Sequence, residues 1–311
     1  MSQQVSREIL DRREDLNQTL APAVQRFEEV AGSLFLGLFG VALFDQTMLP
    51  GVSAALEATG RIQFRPWQRA ARTGASDQLV LLGDDLVRGA ESERLKRLHA
   101  EVRGVGSDGT RYSALNPELW NWILISTFFV HHHAYITLTG DRPSAADNQA
   151  IWDYYRRKAD GLQLPGRSRL IEDYEELVEY YDAMVAEKLQ QTTILTAAAQ
   201  LVRRPPAPDF MPSAVVPVWK MGGPVIGHVA GVLGCGIMHP GVRALMPMTW
   251  SRRHELEFQI LSTILRFGYQ WLPSALTEVP MARNRRQYQR LVSKYRRIGL
   301  QSFAPDRHLG L

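Results

Sequence analysis

The stretch Asn116–PELWNWILISTFFVHHHAYITLT–Gly140 decides the fold. Asn116 can accept from the first free backbone N–H groups of a helix. Pro117 suits the first helical position, Glu118 meets the positive end of the dipole, and Gly140 supplies the stop. Between these signals, Trp120, Trp122, Ile123, Leu124, Phe128 and Phe129 point in every direction around a helical axis. Such a helix has no face for water, so other helices must enclose it.

Working outward, the same punctuation recurs. Ser92 opens a helix over ESERLKRLHAEVRG that ends at Gly104, Ser144 opens one closing at Gly161, and Ser168 precedes a long charged helix running toward Gln190. Ser251 precedes a helix in which Leu256, Ile260, Leu261, Ile264 and Leu265 recur at helical spacing. Alternating runs longer than four residues do not occur. The expectation is an all-α, single multi-helix globular domain over residues 31–280. A helical extension over 1–30 precedes it, and a basic amphipathic tail over 281–311 follows. Val202–Pro212, VRRPPAPDFMP, reads as a loop joining two halves.

Composition narrows the class. With 311 residues, 45% apolar and 22% charged, the chain can bury a sizeable core. Its single cysteine, Cys235, excludes a disulfide framework and a cysteine-rich metal site, and suits a reducing compartment. The polar opening MSQQVSREILDRREDLNQ has no signal-peptide core, so a cytoplasmic location is expected. Leu34–Phe44 is too short for a span and reads as a buried helix. Met221–Met238 is apolar but diluted by glycines and Pro224, and reads as a kinked helix packed tightly inside the fold.

Metal and nucleophile motifs are missing. No HExxH, ExxH or HxxxH occurs among the eight histidines, and neither G-x-S-x-G nor a P-loop is present. His131, His132 and His133 are consecutive, and each helical step turns by about 100°, so they cannot face one metal together. Any cofactor must be held by scattered single residues. One candidate is His99, on a helix with Leu95, Leu98 and Val102, flanked by Arg94, Lys96, Arg97 and Arg103. On residues alone, a lone histidine of this kind is a core or surface histidine and its arginines are a solvated face.

A set of ordered motifs changes that reading. They are Arg69-x-x-Arg72-Thr73, then His99-x-x-Val102 with Gly104, then Gly109-x-x-Tyr112-x-Ala114-x-x-Pro117-Glu118. Downstream come MHPGVRALMPMTWSRRHELEFQ and Trp271-Leu272-Pro273. In order and spacing, over roughly residues 30 to 290, the chain resembles the mpaB / rubber-oxygenase (latex-clearing-protein-like) family. The resemblance implies haem b enclosed between helices, with His99 as proximal iron ligand and Arg103 among the cations near the propionates. It implies that Arg69, Arg72 and Thr73 line the oxygen-binding side. It also implies a further pocket histidine, His133 by spacing, with His131 or His132 taking that place after a small shift.

The chain departs from the rubber-oxygenase branch where that branch can carry an iron-ligating lysine. Arg72 stands there, and a guanidinium has no lone pair to offer a metal. The branch's upstream carboxylate has only Glu57 near its place, at another offset, which puts rubber cleavage itself in doubt. The implied activity is oxygenation of an apolar, isoprenoid- or lipid-like substrate with dioxygen, including oxidative C=C cleavage. The alternative is a non-catalytic carrier or sensor of haem or lipid at the membrane surface. In the tail, Arg283, Arg286, Arg290, Lys294 and Arg297 step along one helical face, and no acid occurs between Met281 and Ile298. That pattern suggests peripheral contact with an anionic membrane through 281–298. No nucleic-acid motif accompanies it, and no nucleic-acid partner is expected.

Overall fold

The computed structural model describes residues 20–60, 65–164 and 169–297, with side chains as far as Lys294. The chain is mainly helical. The first half runs through α1 (Pro22–Ala31), a 3-10 segment (Leu34–Met48), α2 (Pro50–Thr59), α3 (Pro66–Leu82) and α4 (Asp85–Ala100). A small hairpin of β1 (Arg103–Val105) and β2 (Arg111–Ser113) leads into α5 (Pro117–Thr139) and α6 (Ala145–Ala159). The second half comprises α7 (Tyr174–Glu187), α8 (Thr193–Arg203), α9 (Val216–Ile237), α10 (Pro240–Leu245), α11 (Arg252–Trp271), α12 (Ser274–Thr277) and α13 (Pro280–Arg297).

Helix α5 is the axis of the fold, and α1, the 3-10 segment, α6, α9 and α11 pack around it. Its start is fixed as the sequence implies, with Asn116 Oδ1 accepting from the backbone N–H groups of Glu118 and Leu119. Trp122, Phe128, Ala134, Tyr135 and Leu138 are fully buried along it. The helices beginning after Ser144 and Ser251 form as read, each closed by a capping box.

Several boundaries differ from the sequence reading. Helix α4 begins at Asp85, because Asp84 rather than Ser92 caps it by accepting from Val87 N. Ser92 lies mid-helix, buried where α4 meets Gly161. Helix α7 is capped by Asp173, and Ser168 lies outside the described residues. Leu34–Met48 winds as a 3-10 helix rather than the buried α-helix expected, and Leu34 and Leu38 stay exposed. Gly37 and Gly40 weaken its α preference, and it packs on α9 where a side chain at Gly234 would meet Val41 at 2.6 Å. The described part of the expected N-terminal extension belongs to the core, since Phe27 is buried against Phe128, Tyr135 and Tyr154. Residues 1–19 and 298–311 lie outside the described residues.

Helix α9 uses its glycines for close packing, but only its second half is buried as expected; Val218, Met221, Val225 and Ile226 stay exposed, so the segment is not packed inside the fold throughout. A Cβ at Gly227 would run into the Val202 carbonyl oxygen, and one at Gly236 into the Phe258 ring. Among the described residues, no single helix is long and apolar enough to cross a membrane. The 3-10 segment and α2 pass that test only together, and they meet at a bend of 108°.

Candidate functional site

Helices α3 and α4 form an antiparallel pair that carries the motif residues. The turn between them is held by Arg88, whose guanidinium donates to the carbonyls of Val80 and Gly83. One step nearer the site, buried Glu91 accepts from Ser76 Oγ at 2.5 Å and takes a bidentate hydrogen bond from Arg94 at 2.6 and 2.7 Å. Arg94 holds Glu91 below the ordinary carboxylate range, against the opposing effect of burial. These contacts hold the pair together from the Gly83 turn as far as Ser76 and Arg94; Arg69, Arg72 and Thr73 lie further along α3, and His99 lies further along α4. Arg72 and Thr73 are exposed, and Arg69 is half-buried.

His99 lies half-buried near the end of α4, packed edge-on against Trp120 with ring centroids 5.3 Å apart. Its Nδ1 is 2.7 Å from the Leu95 carbonyl oxygen. A carbonyl can only accept, so Nδ1 carries a hydrogen and, in the neutral ring, the lone pair is on Nε2. Trp120 is itself fixed, donating from Nε1 to the Leu162 carbonyl at 2.7 Å.

The motif downstream of His99 has a structural meaning. A Cβ at Gly104 would meet the Tyr112 hydroxyl at 2.8 Å, and Gly109 turns the hairpin with a φ of +84°. Ala114 N then donates to the Val102 carbonyl at 2.9 Å, directing the chain into the Asn116 cap. These residues lock the end of α4 to the start of α5, which sets His99 against Trp120. Arg103 is exposed on β1. Glu57 accepts from Ser107 Oγ at 3.1 Å, at the turn end of the hairpin. The flanking Arg94 and Lys96 are engaged by Glu91 and Glu93.

The three consecutive histidines radiate to three neighbours. His131 reaches α3, with Nε2 2.9 Å from Asp77 and Nδ1 2.8 Å from the Thr127 carbonyl. Asp77 and the carbonyl both act as acceptors, an arrangement that favours the ring with hydrogens on both nitrogens. Burial, the strongest influence on it, pulls its pKa down, but the Asp77 charge and the two hydrogen bonds together raise it. His132 reaches α6, its Nε2 donating to Asn148 Oδ1 at 2.8 Å, and burial pushes its pKa down to about 4. Its Nδ1 is buried without a partner. His133 faces the end of α9, beside the Ile237 carbonyl and His239, and burial lowers its pKa. From Trp120, His133 is about 20 Å further along α5 at 1.5 Å per residue. The structure thus does not bring His133 to His99; His131 is the member of the trio that faces the motif helix.

Two features escaped the sequence reading. Asp77 stands one turn past Thr73 on α3, so the motif stripe itself contained the carboxylate that fixes α3 to α5. Trp67 donates to the Pro206 carbonyl at 2.7 Å and packs edge-on against Trp219, at 5.8 Å, on α9. Nothing local in the sequence signals that contact. Near His99, an open depression of about 240 Å³ is lined by Arg94, Arg97, Leu98 and Glu101. Helical geometry turns that face away from the imidazole. Among the described residues no cluster of three or more His, Cys, Asp or Glu could hold a metal ion.

Residues 27–267 match the catalytic domain described as ER-bound oxygenase mpaB/B'/Rubber oxygenase. The chain belongs to that family. The mpaB/rubber-oxygenase domain is an oxygenase catalytic domain, and an oxidoreductase role follows at that level. Among the chain's relatives are uncharacterized proteins of Mycobacterium bovis and Mycobacterium tuberculosis. Each is 25% identical over 238 residues, covering 73% of this chain and 86% of its own. No solved structure matches.

The donor chemistry at His99 fits a haem iron. The Leu95 carbonyl sets the hydrogen on Nδ1, so in the neutral ring Nε2 is the donor atom, as an iron ligand requires, and the neighbouring helix α3 carries Arg69, Arg72 and Thr73.

Proposed function

We propose that the protein is a haem b-dependent oxygenase acting on an apolar, isoprenoid- or lipid-like substrate, with oxidative C=C cleavage among the reactions open to it. The observation that carries the reading is the His99 tautomer: Nδ1 is committed to Leu95, and in the neutral ring Nε2 is the lone-pair donor. Bound haem would supply the activation of dioxygen.

The chain's own residues have separate tasks. Trp120 and the Leu95 carbonyl hold the His99 ring in one orientation. Arg72 has no lone pair for a metal, so it would not ligate the iron and would instead offer N–H donors to bound oxygen. Thr73 adds a hydroxyl beside it. Arg69 would stand with them on the oxygen-binding side, and Arg103, beyond the end of α4, would be a cation near the propionates. The Asp77–His131 pair holds α3 against α5, and so fixes the separation of the facing helices.

The test is an absorption spectrum of the purified protein, as isolated and after addition of hemin. The wild type should give a Soret band of a histidine-ligated haem. His99→Ala should lose or shift it, while His133→Ala should leave it in place. A wild type that takes up no haem defeats the proposal. Oxygen consumption with a polyisoprenoid then separates the oxygenase from a carrier, which would bind the ligand without turnover.

A further inference from the structure

The described surface carries a large apolar area that no part of the described chain covers. On α9 and the residues before it, Phe210, Val218, Met221, Val225 and Ile226 are all more than half exposed, Met221 at 82%. On α11, which packs beside α9, Leu256, Ile260, Ile264, Phe267 and Trp271 form a stripe at steps of three and four, with Trp271 at 73%. Soluble monomers rarely leave a contiguous apolar patch of more than a few hundred Å² in water.

The charges around this area decide what it meets. No acidic residue occurs from Phe210 to His254, and none from Phe258 to Thr277. Lys220, Arg252 and Arg253 stand exposed along the same segments, whereas Arg266 turns to the Thr137 carbonyl of α5. Of the two carboxylates between, Glu257 is engaged by Arg253 at 2.8 Å and His228 at 2.9 Å, and Glu255 accepts from Trp250. A second copy of the same face would oppose cation to cation. An anionic lipid surface satisfies both the apolar stripe and its basic rim. At the end of the stripe, Phe267 and Trp271 stack at 5.7 Å while both remain exposed, as suits side chains at headgroup depth.

We propose that the face formed by the first half of α9 and the outer stripe of α11 is a membrane-docking surface that lies within the headgroup–acyl boundary of an anionic bilayer. It replaces the basic helix α13 as the principal contact. There, Arg285 and Arg286 are tied to Glu28 and Glu278, and Arg283 donates to the Ala275 carbonyl. The surface stands whether or not haem binds. It adjoins the candidate site, because Trp219 at the start of α9 packs on Trp67 at the start of α3. An apolar substrate dissolved in the bilayer would therefore arrive beside the Arg69–Thr73 helix.

Flotation of the full chain with vesicles tests the proposal. The wild type should float with phosphatidylcholine vesicles containing phosphatidylglycerol, and less with phosphatidylcholine alone. Ile264→Ser combined with Phe267→Ser should lower the partition at least about tenfold, from the apolar area withdrawn. Both side chains are exposed, so the thermal unfolding midpoint should hardly move. Arg290→Gln with Lys294→Gln should stay within about twofold of wild type. In a second readout, brominated lipid should quench wild-type fluorescence more than that of Trp271→Phe. Three results overturn the proposal: a wild type that ignores vesicles of either composition, binding lost with the α13 pair but kept by the α11 pair, or a dimer in sedimentation that the α11 pair dissociates.

Discussion

Asp45→Asn should make the protein more stable at neutral pH and leave it nearly unchanged in acid. Asp45 is 1% exposed on the 3-10 segment. One carboxyl oxygen accepts from the Tyr181 hydroxyl at 3.1 Å, and the other is buried without a partner. Tyr181 is packed between Trp122 and Phe129, with centroids at 5.2 and 4.4 Å, so neither group can swing out to water. Burial pushes the Asp45 pKa up to about 7, against the Tyr181 hydrogen bond that pulls it down. The folded state therefore holds this proton more tightly than the unfolded chain, whose value is near 3.8. Stability is fully present below about pH 4, falls as pH rises to about 7, and is flat beyond. The interval corresponds to a ceiling of about 4 kcal/mol at 1.36 kcal/mol per tenfold change in proton affinity. Asparagine keeps an acceptor for Tyr181 and carries no charge. Urea titrations of both proteins from pH 4 to pH 8 would expose the difference. Because other groups titrate in this window, the quantity read is the gap between the two curves. Parallel curves would refute the reasoning.

Further outcomes concern the histidine trio and the glycine helix. His131 should titrate above the ordinary histidine range in a nitrogen NMR experiment, while His132 stays neutral until about pH 4. His131→Ala should cost about 2 kcal/mol below neutral pH, the loss shrinking as pH rises through the raised His131 pKa, as read by denaturant unfolding. Gly227→Ala places a methyl group against the Val202 carbonyl and should cost at least about 3 kcal/mol or prevent soluble expression. Gly37→Ala meets nothing within 4 Å and should be nearly neutral in the same measurement.

Features written locally were legible in the sequence. The caps at Asn116, Ser144 and Ser251 are one-turn motifs, so the helices they open begin where the residues say. The burial of α5 follows from its all-round apolar surface. Choices between neighbouring signals were less legible. Asp84 and Ser92 are both competent caps, and burial of Ser92 against Gly161 decided for Asp84. The hairpin strands are three residues each, too short for an alternating pattern to register. At the site, the polar contacts that pair α3 with α4, Ser76 and Arg94 on Glu91, join residues outside the motifs and gave no local signal. The direction of His133 was not legible either, because the phase of a helix that is apolar all round is set by its neighbours. Cations near His99 looked available in the sequence, yet Arg94 is committed to Glu91, a partner on its own helix.

The trio at 131–133 has a bearing on how this chain tolerates insertions and deletions. One tripeptide gives α5 a ring favouring its charged form toward Asp77, a neutral ring toward Asn148 and a third ring toward the end of α9. A single residue gained or lost between Asn116 and His131 would turn the whole set by about 100°. Each imidazole would then meet a neighbour suited to a different protonation state. The helix behaves like a keyed shaft, and length variation in this chain should be confined to the loops outside Asn116–Gly140.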